Sequence, residues 1–176
     1  MKLFSKIFIL LLTLGLFYSC SKDDATGMMT VRMTDDPADY MEVNVDVQAV
    51  QIHYEDDDPE EWVTLETNRG IYNLLDLQND ITVVITDQDE IRVGYIEQMR
   101  LVLGQENTLV TTTDEFPLLL SSQDKTGLKV NVNAQMKDQQ HMEIVLDFDA
   151  GESVVEEGND QYRLKPVVKV ESITYK

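Results

Sequence analysis

The sequence predicts an all-β fold, a two-layer antiparallel β-sandwich. Three observations carry this. Apolar and polar residues alternate with period two from Gly27 to the C-terminus, the spacing that puts alternate side chains on opposite faces of a strand. Helical spacing is scarcely present. Short runs rich in Gly, Pro, Asn and Asp punctuate the alternation, giving about eight or nine strands with polar outer faces, the pattern of two sheets packed face to face. Hydrophobic residues make up 43% of the chain and charged residues 27%, ordinary globular usage, so a core can be buried.

The first 19 residues read as an address. Lys2 and Lys6 precede an apolar run over residues 7–17, eleven residues against the roughly 20 that a membrane-spanning helix needs, and small Ser19 follows. The only cysteine, Cys20, comes next, and Leu16-Phe17-Tyr18-Ser19-Cys20 resembles a lipobox, with Phe17 and Tyr18 departing from its usual residues. Residues 1–19 are therefore expected to be a lipoprotein signal peptide and Cys20 the lipidated residue. Each buried methylene contributes about 0.8 kcal/mol, so two acyl chains suffice for a stable anchor. Residues 20–27 form a polar linker in which Lys22, Asp23 and Asp24 resemble the export signal of Bacteroidota surface lipoproteins. The expected location is the outer membrane, lipid-anchored and facing the cell exterior.

Residues 28–176 are read as one domain. Val31 and Met33 alternate with Arg32 and Thr34 before a loop at residues 35–39. Met41, Val43, Val45 and Val47 share one face, and the apolar phase slips by one near Ala49 before Val50, Ile52 and Tyr54, which predicts a β-bulge in a long strand. An acidic turn at 55–61 leads to a short strand through Trp62 to Leu65, with Trp62 expected to cover one end of the core. Residues 71–77 fit a strand, a 3₁₀ turn or a single helical turn equally well. Strand patterns recur at 81–85, at 96–103 with Met99, Leu101 and Leu103 inward, at 109–110 and at 116–120. They return at 128–132, 142–148 and 162–173.

Charge excludes one class of partner. The chain carries 14 Lys and Arg against 33 Asp and Glu, a formal charge of −19 that becomes −21 once the two lysines of residues 1–19 are removed. A nucleic acid would be repelled, because phosphate binding rests on Lys and Arg and no basic stripe is present. The single cysteine also excludes an internal disulfide and a multi-cysteine metal site.

Several stretches together resemble the bacterial lipoprotein family called domain of unknown function 4382. They are residues 31–40 (VRMTDDPADY), 43–50 (VNVDVQAV), 95–103 (YIEQMRLVL), 127–132 (GLKVNV) and 146–150 (LDFDA), in the family's order and spacing over roughly residues 28–171. The resemblance implies a prealbumin-like or immunoglobulin-like Greek-key sandwich behind a lipoprotein signal. It implies no assigned activity and supplies no catalytic residues.

Catalytic constellations are missing from the sequence. There is no glycine-flanked serine elbow and no HExxH, and His53 and His141 fall in separate strand patterns. The chain is therefore expected not to be an enzyme, and no cofactor is required. Structural calcium is the metal that suits the acid clusters, because hard cations take six to eight oxygens. The candidate ligands are Asp147, Asp149, Asp35 and Asp36, with Asp147 and Asp149 expected on one strand face opposite Leu146 and Phe148. The function expected is a non-catalytic binding or adhesion module for a glycan or protein ligand. The alternative is a structural subunit of an envelope assembly joined by β-strand addition. A small carboxylate-based hydrolase comes third. An aromatic platform built from Tyr40, Tyr54, Trp62 or Tyr95 would favour a glycan.

Overall fold

The computed structural model describes residues 25–121 and 124–176. The expected signal peptide and the lipidation and export residues Cys20, Lys22, Asp23 and Asp24 lie outside the described residues. The first half of the domain contributes β1 (Thr26–Thr34), β2 (Glu42–Tyr54), β3 (Val63–Thr64), β4 (Gly70–Asn73), β5 (Val83–Arg92), β6 (Gly94–Leu103) and β7 (Thr108–Val110). After β8 (Glu115–Leu120) follow β9 (Leu128–Met136), β10 (His141–Phe148), one helical turn α1 (Ala150–Ser153), β11 (Val154–Gly158), β12 (Gln161–Leu164) and β13 (Val168–Tyr175).

These strands form a β-sandwich of two stacked sheets. The smaller has the order β13-β10-β1-β5; the larger runs β11-β12-β8-β7-β2-β6-β9, with β3 and β4 also pairing with β2. The expectation of purely antiparallel sheets is corrected, because each sheet contains one parallel pair, β1 with β10 and β12 with β8. Parallel neighbours need a long crossover between them. Here residues 35–140 of the intervening chain, most of it in the opposite sheet, provide the crossover between β1 and β10.

Alternation sets which residues face the core. Met29, Val31 and Met33 of β1 pack with Met142, Ile144, Leu146 and Phe148 of β10 and with Val43, Val45, Val47, Ile52 and Tyr54 of β2, all fully buried. The pairing of β2 with β6 shifts register between Val47 and Ala49, the bulge that the phase slip in the sequence predicts. Residues 71–77 divide: Gly70–Asn73 is strand, and Leu74–Leu77 is a 3₁₀ turn whose entry is capped by Asn73 accepting from the Leu75 amide. The expected strand over 162–173 is interrupted at Pro166, which has no amide hydrogen to continue a ladder, and its halves β12 and β13 join opposite sheets. A strand at 154–158 and the helical turn before it were not read from the pattern.

Trp62 does not cap the core. It is half-buried on the outer face of the larger sheet, its ring centroid 5.3 Å from that of His53.

Candidate functional site

Two cavities concentrate the chemistry of the described residues. The first holds most of the sequence-predicted metal ligands. Thr34 ends β1 directly beside Asp147 of the parallel neighbour β10, so Asp35 and Asp147 come to the same end of the smaller sheet. Asp35 is only 4% exposed. Its Oδ1 accepts a 2.8 Å hydrogen bond from the Ala150 amide, while Oδ2 is buried without a hydrogen-bond donor. Burial drives the Asp35 carboxyl up to about 6, opposed by the Ala150 amide and the Gln78 side chain and reinforced by the charges of Asp147 and Asp149.

Asp147 is 2% exposed, and its Oδ2 lies 2.7 Å from the Lys169 ammonium. The other oxygen, Oδ1, is buried without a hydrogen-bond donor. Burial again raises this carboxyl, and Lys169 opposes it. Lys169 also lies 3.3 Å from Asp36, and the two carboxylates push its ammonium above the ordinary lysine range.

Asp35, Asp36 and Asp147 thus share a cavity of about 230 Å³ with Thr34, Asp80 and Glu171. Asp149 does not join Asp147 on a strand face. It lies past the end of β10 as the N-cap of α1, where its Oδ1 accepts a 2.8 Å bond from the Glu152 amide. Among the described residues no three Asp, Glu, His or Cys side chains are arranged to hold a metal ion. The cation actually seated among these acids is Lys169.

The second cavity, of about 450 Å³, was not foreseen. Ligand pockets usually measure about 300–1,000 Å³, a range that includes this cleft and excludes the acidic cavity. Its walls are the β7–β8 loop and the β11–β12 turn, contributing Thr111, Thr112, Thr113, Asp114, Phe116, Asp160 and Tyr162. The Phe116 and Tyr162 rings pack with centroids 4.9 Å apart at an interplanar angle of 48°.

Both walls have local causes. The Thr111 amide donates to the Asp114 carbonyl at 2.9 Å, and the Thr111 hydroxyl accepts from the Asp114 amide at 3.2 Å, which closes the loop on itself. The opposite wall is a two-residue turn in which Asn159 and Asp160 have φ of 54° and 57°, the left-handed pair that a primed hairpin turn requires. The parallel β8–β12 pairing sets Tyr162 opposite Leu118, two residues beyond Phe116. Burial raises the Tyr162 phenol above its ordinary range, and the charges of Glu156 and Asp160 add to that. The cleft therefore joins a paired aromatic surface to hydroxyls and two exposed carboxylates, Asp114 and Asp160. This set can stack on a sugar ring and accept hydrogen bonds from its hydroxyls.

Of the four aromatics any of which could have offered a platform, Trp62 and Tyr95 are half-buried and the other two turn inward. Tyr54 is fully buried, with its hydroxyl donating to the Arg92 carbonyl at 2.9 Å, and Tyr40 packs against the core. A visible sequence signal marks the real pair: each ring stands at the start of a strand just after a polar turn, Thr-Thr-Thr-Asp-Glu before Phe116 and Gly-Asn-Asp-Gln before Tyr162.

A family model described as a domain of unknown function (DUF4382) matches residues 26–166. The chain belongs to the DUF4382 family. No curated protein and no solved structure matches it. Two of the segments that carry the DUF4382 resemblance, residues 31–40 and 146–150, meet at the acidic cavity, where Asp35 of one bonds the Ala150 amide of the other. The aromatic cleft is built from different parts of the matched region.

Proposed function

We propose that this chain is a non-catalytic, lipid-anchored binding module on the outside of the outer membrane, and that its ligand is a carbohydrate. The observation that carries the reading is the Phe116–Tyr162 cleft, in which tilted aromatic rings stand beside threonine hydroxyls and the Asp114 and Asp160 carboxylates. A pyranose presents C–H groups on one face and hydroxyls around its rim. Aromatic faces carry negative charge that attracts such C–H groups, while carboxylates accept from the rim hydroxyls. The anchor is supported by the apolar run over residues 7–17 and by Cys20 directly after small Ser19.

Strand addition finds less support. Of the four edge strands β13, β5, β11 and β9, β5 carries Asp87, Asp89 and Glu90 and β11 carries Glu156 and Glu157, and the β1–β5 pairing contains two register shifts. Charges and bulges of this kind discourage a further strand.

The test is titration calorimetry of the protein with neutral oligosaccharides of the cello-, malto- and xylo- series, repeated with Tyr162→Ala. Saturable binding that the variant loses supports the reading; absence of binding throughout the series, or binding indifferent to Tyr162, overturns it. Protease shaving of intact cells, beside a Cys20→Ala variant, tests the location. Surface display requires cleavage without breaking the cells, and anchoring requires the variant to leave the membrane fraction.

A further inference from the structure

On the outer face of the larger sheet, away from that cleft, two cations meet the only tryptophan of the chain. The Arg100 guanidinium carbon lies 4.2 Å from the centre of the Trp62 ring, and the Lys129 ammonium 5.3 Å from it. Arg100 and Lys129 are direct register partners on β6 and β9, so their side chains rise together from one side of the sheet. Trp62 lies across them from the far side of β2, resting beside His53, whose Nδ1–H donates to the Glu61 carbonyl at 2.9 Å.

Arg100 is held in place. Its Nε donates to Gln51 Oε1 at 2.8 Å. Its aliphatic stem lies against Gly127, where φ is +101° and where a Cβ would collide with Arg100 Cγ.

Neither cation of this cluster has an ion-pair partner among the described residues. Arg32, Arg92, Arg163, Lys169 and Lys176 each lie within 4.0 Å of a carboxylate. Among the described residues Arg100 and Lys129 have none; Arg69, Lys137 and Lys165 lack one too, but Arg100 and Lys129 stand together over one aromatic ring. Two acids lie in the neighbourhood: Glu97, 3.9 Å from His53 Nε2, and Asp124, which lines a cavity with Lys129. Burial also depresses the Arg100 guanidinium below its ordinary value. A guanidinium that has lost hydration without gaining a counter-charge is stabilised by an anion placed against it.

From this we propose that the Trp62–Arg100–Lys129 face is a second ligand site, specific for a sugar carrying a carboxylate, such as a uronic acid. The planar guanidinium takes a carboxylate through paired hydrogen bonds, and Lys129 adds a point charge. The half-exposed indole supplies apolar surface for the sugar ring. A singly charged carboxylate suits two cations on a body with a formal charge of −19, whereas a phosphate dianion or a polyanion meets stronger repulsion from the rest of the surface.

Trp62 is itself the reporter, because selectively excited tryptophan emission comes from this residue alone. The experiment titrates the protein with trigalacturonate and with its methyl ester, which keeps the rings and removes the charge. The expected result is a saturable emission change with the acid that weakens as salt rises, and an affinity for the ester about tenfold lower or less. Arg100→Gln is expected to cut the affinity for trigalacturonate by about tenfold and Tyr162→Ala to leave it unchanged. Should Arg100→Gln fail to fold by circular dichroism, Lys129→Gln gives the same readout. No emission change, equal affinity for acid and ester, or indifference to both charge-removing variants overturns the proposal. Loss of the signal in Tyr162→Ala overturns the claim of a second site and assigns the acid to the cleft.

Discussion

Replacing Asp35 by asparagine should stabilise the protein at neutral pH, and by an amount that depends on pH. Asp35 is raised from 3.8 to about 6 because folding buries it. Each unit of difference between folded and unfolded states corresponds to about 1.4 kcal/mol, so the ionised form costs the native state about 3 kcal/mol when both states are deprotonated. The sign follows from the direction of the shift. A native pKa above the unfolded value means that the folded chain holds the proton more tightly. The contribution is fully favourable below pH 3.8 and is lost as pH rises through about 6. Asparagine cannot ionise, yet its carbonyl oxygen still accepts from the Ala150 amide, and its NH₂ brings a donor into the cavity that Asp147, with its donor-less Oδ1, also lines. Urea unfolding of Asp35→Asn and wild type at a series of pH values is the assay. The variant should gain about 3 kcal/mol at pH 8, about 1.5 at pH 5 and almost nothing at pH 3. A difference independent of pH, or a loss of stability at pH 8, would refute the argument that an uncompensated buried charge sits at this position.

Three further substitutions test other parts of the structure. In Gly104→Ala the new methyl meets the Asp46 carboxylate, which is 6% exposed and accepts from Gln48 and from the Glu106 amide; displacing that network should cost about 2–3 kcal/mol in urea unfolding, and an unchanged midpoint would contradict it. Tyr54→Phe removes the 2.9 Å bond to the Arg92 carbonyl while keeping the ring in the core, so a loss of about 1 kcal/mol is expected by thermal or chemical denaturation. Asp149→Ala deletes the cap on the Glu152 amide and should cost about 1 kcal/mol; a protein that instead loses calcium-dependent stabilisation would return Asp149 to the metal ligands.

How much of this was legible depends on whether a feature is local. Period-two alternation reports which face of a strand is apolar, so the two-layer architecture, the bulge near Ala49 and the inward phase of Met99, Leu101 and Leu103 could be read directly. Alternation says nothing about which strand lies next to which. The parallel contact of β1 with β10 joins residues more than 100 positions apart, and without it Asp35 and Asp147 are simply two acids among 33. Even so, Asp35 carried a local sign. Met29, Val31 and Met33 face inward, and Asp35 is the next position in that phase, although the acids and proline of residues 35–39 mark a loop.

Asp147 carried no such sign, for a reason that separates the two acids physically. On β10 the inward phase belongs to Met142, Ile144, Leu146 and Phe148, so Asp147 points to the other face, where alternation predicts water. It is nevertheless 2% exposed, because Lys169 of the neighbouring β13 is its register partner and closes over it. Its burial is thus a property of a strand pair, whereas that of Asp35 belongs to a strand end pointing into the core. The consequence can be measured. Lys169→Met leaves Asp147 buried beside Asp36 without its cation, so the Asp147 carboxyl, already raised, should rise further, and stability should fall at every pH where Asp147 is ionised and recover as acid protonates it. Carbon-13 NMR titration of the aspartate carboxyls reads this directly. An Asp147 resonance that titrates unchanged in the variant would show that something other than Lys169 balances its charge.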